Sequence, residues 1–244
     1  MIATTRHESK TRLLDAALRV IRTKGYAATT VDDICAAAGV TKGSFFHHFK
    51  SKDELALGAV AYWNDRTEGF FAAADYRRLP NPRDRLFGYL GFREALLARE
   101  LADFTCLLGT LVQETYATHP AIRAACDQGM SAHIAELTRD LEAAKRLYAP
   151  AAGWTPESVG YFIQAVLQGA FIFAKAKQSP EVVRSSLEHL RHYIERLFDG
   201  PLSQGESHDS DRAQRPHRWI ASGFKSHEPH RLGDERARHA VHGL

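Results

Sequence analysis

The stretch from Thr29 to Leu55, TTVDDICAAAGVTKGSFFHHFKSKDEL, constrains the fold more than any other part of the chain. Thr30 with Asp33 three residues on is a capping-box pattern, opening a helix whose apolar face is Val31, Ile34, Cys35 and Ala38. Gly39 supplies the turn. A second helix starts after Thr41, whose hydroxyl can accept from the amides of the next turn, and runs through KGSFFHHF. Ser51 with Glu54 repeats the capping pattern and starts a longer helix at Lys52. Two short helices joined by a tight turn containing Gly form a helix-turn-helix unit.

The segment TKGSFFHHFKSKDEL resembles the recognition helix, and the helix after it, of TetR-type transcriptional repressors. Residue type and spacing agree over 27 positions, Thr29 to Leu55. The resemblance implies that Lys42 to Phe49 lie in the major groove of a double-stranded DNA operator. It puts Thr30, Thr41, His48 and Lys52 at phosphates, with Lys42, Ser44 and His47 near base edges. The family usually carries Tyr where Phe46 stands, which removes one hydroxyl contact. The residues support these roles independently. Gly43 has no Cβ to hold the backbone away from DNA, and Thr41 and Ser51 stand where outward helix amides bind phosphate. Phe45 and Phe49, four apart, face the core.

Net charge over the 244 residues is only +3, so no chain-wide basic field marks a nucleic-acid binder. Within residues 1–55, however, nine Lys and Arg stand against six Asp and Glu. That excess suits a protein that doubles its DNA contacts by dimerising. Three cysteines, Cys35, Cys106 and Cys126, have no framework spacing, which points to a reducing compartment without structural disulfides. The N-terminus has no apolar signal region and no run of 18 apolar residues follows. The expectation is a soluble, cytoplasmic protein with no membrane partner.

Beyond the reader the chain is all helix. A first helix over about Glu8–Lys24 buries Leu13, Leu14, Ala17, Leu18 and Ile21, with Lys10 and Arg12 available to phosphate and Gly25 as its stop. The helix from Lys52 runs to about Ala74 with apolar groups on more than one face, which makes it the connector between reader and regulatory parts. LPNP at 79–82 is a break, and helices follow over about Arg83–Arg99, Phe104–Tyr116 and Pro120–Tyr148. Thr155-Pro156-Glu157 and Ser179-Pro180-Glu181 each read as N-cap, first position and first-turn acid of the last two helices. The predicted organisation is an all-α chain: a helix-turn-helix DNA-binding domain over 1–55, a helical-bundle ligand-binding and dimerisation domain over 56–199, and a disordered tail over 200–244. The last two helices carry more apolar surface than one bundle side needs, so a homodimer through them is expected. The tail holds six histidines without ligand spacing, and neither a metal nor a cofactor is expected.

The reader joined to a larger helical part suggests a switch worked by a small molecule or an electrophile. Trp63, Phe92, Tyr116 and Phe162 are candidates to line an apolar effector pocket, with Gln113, Tyr116 and His133 as polar handles. Cys106, in FTCLLGTL, stands at a helix start, where the dipole favours a thiolate. Phe104–Met130 and AVLQGAFIFAKAKQS resemble the branch of the TetR family that regulates electrophile and quinone detoxification. That resemblance makes Cys106 the sensing thiol, with Lys175 nearby, although Thr105 replaces a glycine common there. The rival readings are a helical enzyme, using Cys106 with His133 or a metal on His189 and His192, and an interaction module with no ligand. Neither enzyme pair has a third member, so catalysis is not expected.

Overall fold

Among the described residues, 2–198 with side chains from Glu8 onward, the computed structural model holds α-helices and 3₁₀ turns and no strand. The expected tail over 200–244 lies outside the described residues. The helices are α1 (Ile2–Lys24), α2 (Val31–Ala38), α3 (Lys42–His48), α4 (Lys52–Ala72) and α5 (Pro82–Ala95). They continue as α6 (Leu101–Phe104), α7 (Leu107–Thr115), α8 (Pro120–Tyr148), α9 (Pro156–Lys177) and α10 (Glu181–Phe198).

Their ends are set by local chemistry. Thr30 accepts from the Asp33 amide while the Asp33 carboxylate accepts from the Thr30 amide, completing the box that opens α2. Gly39 closes α2 in the left-handed region at φ 61°, which a residue with a Cβ adopts at a cost. Thr41 caps α3 through the Ser44 amide, and Ser51 caps α4 through the Glu54 amide. Asn81 caps α5 with Pro82 at its first position, and Thr155 caps α9 before Pro156.

Three boundaries differ from expectation. α1 begins at Ile2 instead of Glu8, because ATTRHE offers no apolar stripe to announce a helix. A 3₁₀ turn occupies Asp75–Arg78, and the helix expected over Phe104–Tyr116 is divided, with α6 ending at Phe104 and α7 starting after Cys106. Thr105, almost wholly buried, sits in that break with an extended backbone, a packing effect that no Gly or Pro signals.

Two buried clusters hold the described residues together. The first joins Leu13, Ala17 and Ile21 of α1 to Ile34, Phe45, Leu55 and Ala59, and continues into Leu107, Leu111, Ile122 and Cys126. The second joins Phe71, Leu86, Tyr89 and Leu90 to the later part of α8, to α9 and to α10. The reader helices therefore share their core with α7 and the start of α8. Cys106 is packed against both clusters. Burying each large side chain contributes about 1.5–3 kcal/mol, so the shared core is the main attachment of the reader to the rest of the chain.

Candidate nucleic-acid interface and effector cavity

α3 presents Thr41, Lys42, Gly43, Phe46 and His47 outward while Phe45 is fully buried and Phe49 nearly so. A Cβ on Gly43 would touch only the Thr41 hydroxyl at 3.7 Å, so the backbone there is open to an approaching surface. Lys42 pairs with Asp32 at 2.8 Å, but both are more than half exposed, so the pair contributes little and the lysine can exchange its partner for a phosphate or base. Thr30 is also exposed, and Ser44 is half-buried.

Three basic or polar groups of the reader also make architectural bonds in the free chain. The Lys52 ammonium donates to the carbonyls of Tyr26 and Thr29, each at 3.1 Å, and lies 4.2 Å from the Tyr26 ring centre. In the free chain these bonds clamp the turn between α1 and α2. Arg12 donates from Nε to the Ala38 carbonyl at 2.9 Å and also reaches the Gly39 carbonyl, completing the end of α2. His48 Nε2 lies 2.7 Å from the Ser9 hydroxyl, which ties α3 to α1.

The second site is a cavity of about 1010 Å³ between α1, α4, α5, α8 and α9. Trp63, Phe71, Phe104 and Phe171 give it aromatic walls, and Arg22, Arg93, Cys106, His133 and Gln164 supply polar ones. Arg22 stacks on Trp63 at 4.9 Å and donates to the Leu18 carbonyl at 2.8 Å. Cys106 is the N-cap residue of α7, its side chain making no capping bond. Lys175 donates to the Thr110 hydroxyl at 2.7 Å, on the first turn of that helix. Burial pushes the Lys175 ammonium down, and negative charge on Cys106 would hold it up, so the two groups are electrostatically coupled. Cys126 is different: burial pushes its thiol up to about 12, and it packs as a small apolar group. Burial likewise raises the Cys35 thiol.

At its far end α7 touches the reader. The Glu114 carboxylate accepts from the Ala27 amide at 2.7 Å, in the turn between α1 and α2. The same turn is held by Tyr26, which donates its hydroxyl to Asp53, and whose ring meets His119 edge-on at 5.4 Å. One short helix thus links a cavity-wall thiol to the base of the reader.

The helix-turn-helix sequence pattern of the bacterial regulatory proteins of the tetR family matches residues 13–59. The pattern of the C-terminal domain of LmrA/YxaF-like transcriptional regulators matches residues 90–189. Over 200 residues, 80% of this chain and 88% of the relative, the sequence is 30% identical to the transcriptional regulator AcuR of Cereibacter sphaeroides. The chain belongs to the TetR family. It is a DNA-binding transcriptional regulator. It is also 24% identical over 194 residues to the HTH-type transcriptional repressor NemR of Escherichia coli K12, spanning 78% of this chain and 96% of NemR. The crystal structure of reduced E. coli NemR superposes with a TM-score of 0.66, at 22% identity, over 76% of this chain and 96% of that one. The match to YerO of Bacillus subtilis is local, 42% identical over 57 residues, 23% of this chain and 20% of YerO.

The structure brings only part of the expected effector set of this TetR-family chain to the cavity. Trp63, Cys106 and His133 line it. Phe92 lies one layer out, against Phe70, Phe71 and Tyr76. Gln113 turns back to the Gly109 carbonyl at 2.7 Å, and Tyr116 is 60% exposed at the end of α7. Phe162 faces outward on α9 and packs on Tyr193 of α10 at 4.8 Å. Lys175 is joined to the site through Thr110, not along the cavity wall. Among the wall residues that the sequence alone did not single out are Arg22, Tyr89, Arg93 and Gln164. For Arg93 a signal existed: it continues the heptad stripe Leu86, Leu90, Leu97, so a charge falls on an inward face. His189 and His192 are exposed, and no three metal-ligating side chains gather among the described residues.

His133 gives the cavity a titration signature. Burial, with Arg93 and Arg77 close by, pushes its imidazole down to about 3. The folded ring is therefore neutral where an unfolded histidine binds a proton, and stability must fall as pH drops from about 6.5 towards 3. Denaturant midpoints measured from pH 7 to 4 should decline more steeply for wild type than for His133→Gln; parallel curves would remove this group from the linkage.

Proposed function

We propose that the protein is a homodimeric, effector-responsive transcriptional repressor that binds a near-palindromic operator through Thr30, Thr41, Lys42, Gly43, Ser44, His47, His48 and Lys52. It releases the operator when the cavity is filled or when Cys106 is modified. The reader is residues 1–55, and the regulatory and dimerising part is 56–199. The observation carrying this reading is the path through α7: Cys106 on the cavity wall at its start, a shared core along its length, and Glu114 on the reader turn at its end. A thiol adding to a quinone ring gains bulk at the point where both cores meet. The start of α7 must then shift, and the reader spacing with it. A ligand acts through its affinity difference between the two states, and a 100-fold release needs about 2.7 kcal/mol of such difference.

The dimer reading rests on the outer face of α9. Ile172 and Phe173 are 49% and 57% exposed there, and a Cβ on Gly169 would meet nothing, so a second helix can approach closely. α9 is also long and apolar enough to cross a membrane by length and composition. Its inward face, with Ile163, Leu167 and Ala174 fully buried, belongs to the core, and pairing between copies accounts for the outward one. Footprinting on DNA upstream of the chain's own coding sequence tests the proposal. A protected site with two related halves is expected, bound by a dimer in sedimentation. An asymmetric site bound by a monomer would overturn it.

A further inference from the structure

Resting on the reading of the cavity as the effector site, the geometry points to an effector class. We propose that the cavity takes an organic monocarboxylate with an apolar body, its carboxylate held by Arg93 and its body lying among the aromatic rings of the wall.

The arginines of the wall differ in what balances them. Arg22 is paired with Asp103, Arg66 with Asp15, and Arg77 with Glu136 and Asp140. Arg19 and Arg99 pair with no carboxylate among the described residues, but both are exposed and solvated. Arg93, half-buried, is paired with no carboxylate among the described residues. Its Nε donates to the Tyr89 oxygen at 2.9 Å and one terminal nitrogen donates to His133 Nε2 at 3.1 Å. Its plane stacks on Phe71 at 4.6 Å and on Tyr89 at 5.3 Å. Aromatic faces and neutral acceptors balance a partly desolvated cation only in part. Two acids of α8 are taken: Glu136 accepts from Arg77 at 2.8 Å and Arg139 at 2.6 Å, and Asp140 from Arg85 at 2.8 Å.

The remaining hydrogens at this end of the cavity suit an acceptor. A guanidinium has no lone pair, so His133 Nε2 must be the bare nitrogen and Nδ1 carries the proton. The Tyr89 oxygen accepts from Arg93 and from Gln164 Nε2 at 2.9 Å, and its own hydrogen is donated to the bare His133 Nε2 at 3.1 Å, so the donors left for a ligand are those of the guanidinium. Two of the five guanidinium donors are used in these bonds, and the others remain for a ligand. A planar carboxylate can accept from such a fork at two points, whereas an amide of the same shape presents one acceptor and two surplus donors. His133 is also kept neutral by burial and by Arg93 and Arg77, so Arg93 is a half-buried cation with no carboxylate partner among the described residues, and a monoanion matches it.

The test uses the full-length dimer and isothermal titration with 3-phenylpropanoate and octanoate, each against its primary amide. The acids should bind at least tenfold more tightly than the amides, the scale of a charge-assisted bond. Arg93→Gln should bring acid affinity down to the amide level and leave amide affinity and operator binding within about twofold; Arg93→Lys, a point charge without the fork, should keep part of the preference. If Arg93→Gln fails to fold, the acid-to-amide ratio of wild type and Arg93→Lys decides. Equal binding of acids and amides, or no binding of either acid at millimolar concentration, overturns the carboxylate inference. Should that happen while quinone treatment still releases operator, the effector-responsive reading stands through Cys106; should neither ligand nor quinone release it, that reading falls as well.

Discussion

Gly43→Leu is expected to remove specific operator binding while leaving the fold intact or slightly stabilised. The Cβ site meets only the Thr41 hydroxyl at 3.7 Å, so the side chain has room in the free protein. Replacing Gly within a helix also gains up to about 0.8 kcal/mol from backbone entropy. In the proposed DNA-bound arrangement the same side chain would occupy the space that the backbone of α3 needs. Losing contacts worth one base pair in each of two half-sites costs about 1–3 kcal/mol per half-site, so affinity should fall by about 30-fold or more. Anisotropy titration of labelled operator alongside thermal unfolding reads both signs. A variant that unfolds earlier and binds equally well would show that α3 does not approach DNA through Gly43.

Leu111→Ala should be the most destabilising single truncation along the path from cavity to reader. Leu111 is fully buried in the cluster that joins α7 to α1, α4 and α8. A Leu→Ala change in such a core costs about 2–5 kcal/mol. In a chain of this size each kcal/mol lowers the unfolding midpoint by about 2–4 °C. Leu147→Ala removes the same atoms from a residue that is 65% exposed and should change stability by no more than about 0.5 kcal/mol. The variant also loosens the lever itself, so operator affinity should depend less on effector. If both truncations cost the same, α7 is not held by this core.

The reader was legible because its code is local. Thr30 with Asp33, Thr41, Ser51 with Glu54, and Gly39 each act within one turn of chain, where spacing alone reports the geometry. The long helices carry their heptad stripes in the sequence itself, and the core uses them, from Ile122 through Leu141 in α8 and from Val183 to Ile194 in α10. What needed the structure was every feature made by distant parts of the chain. Lys52 and Arg12 have the composition of phosphate contacts, and only the structure shows that in the free chain they also hold carbonyls 23 to 27 residues away. Aromatic residues of the middle region look alike in sequence, but Trp63 lines the cavity, Phe92 stands behind it and Phe162 faces outward. The break at Thr105 that leaves Cys106 at the head of α7 follows from burial of Thr105, which no neighbouring residue announces.

The most direct measurement of the central claim, that the state of the cavity wall sets the operator affinity, is operator binding before and after treatment with a mild quinone. Wild type and Cys106→Ser are to be compared at one salt concentration, because phosphate contacts make affinity salt-dependent. The account expects wild type to lose operator on treatment and Cys106→Ser to keep it, with untreated affinities equal. Equal loss in both proteins, or loss in neither, would contradict gating through Cys106 and leave α7 without its assigned role.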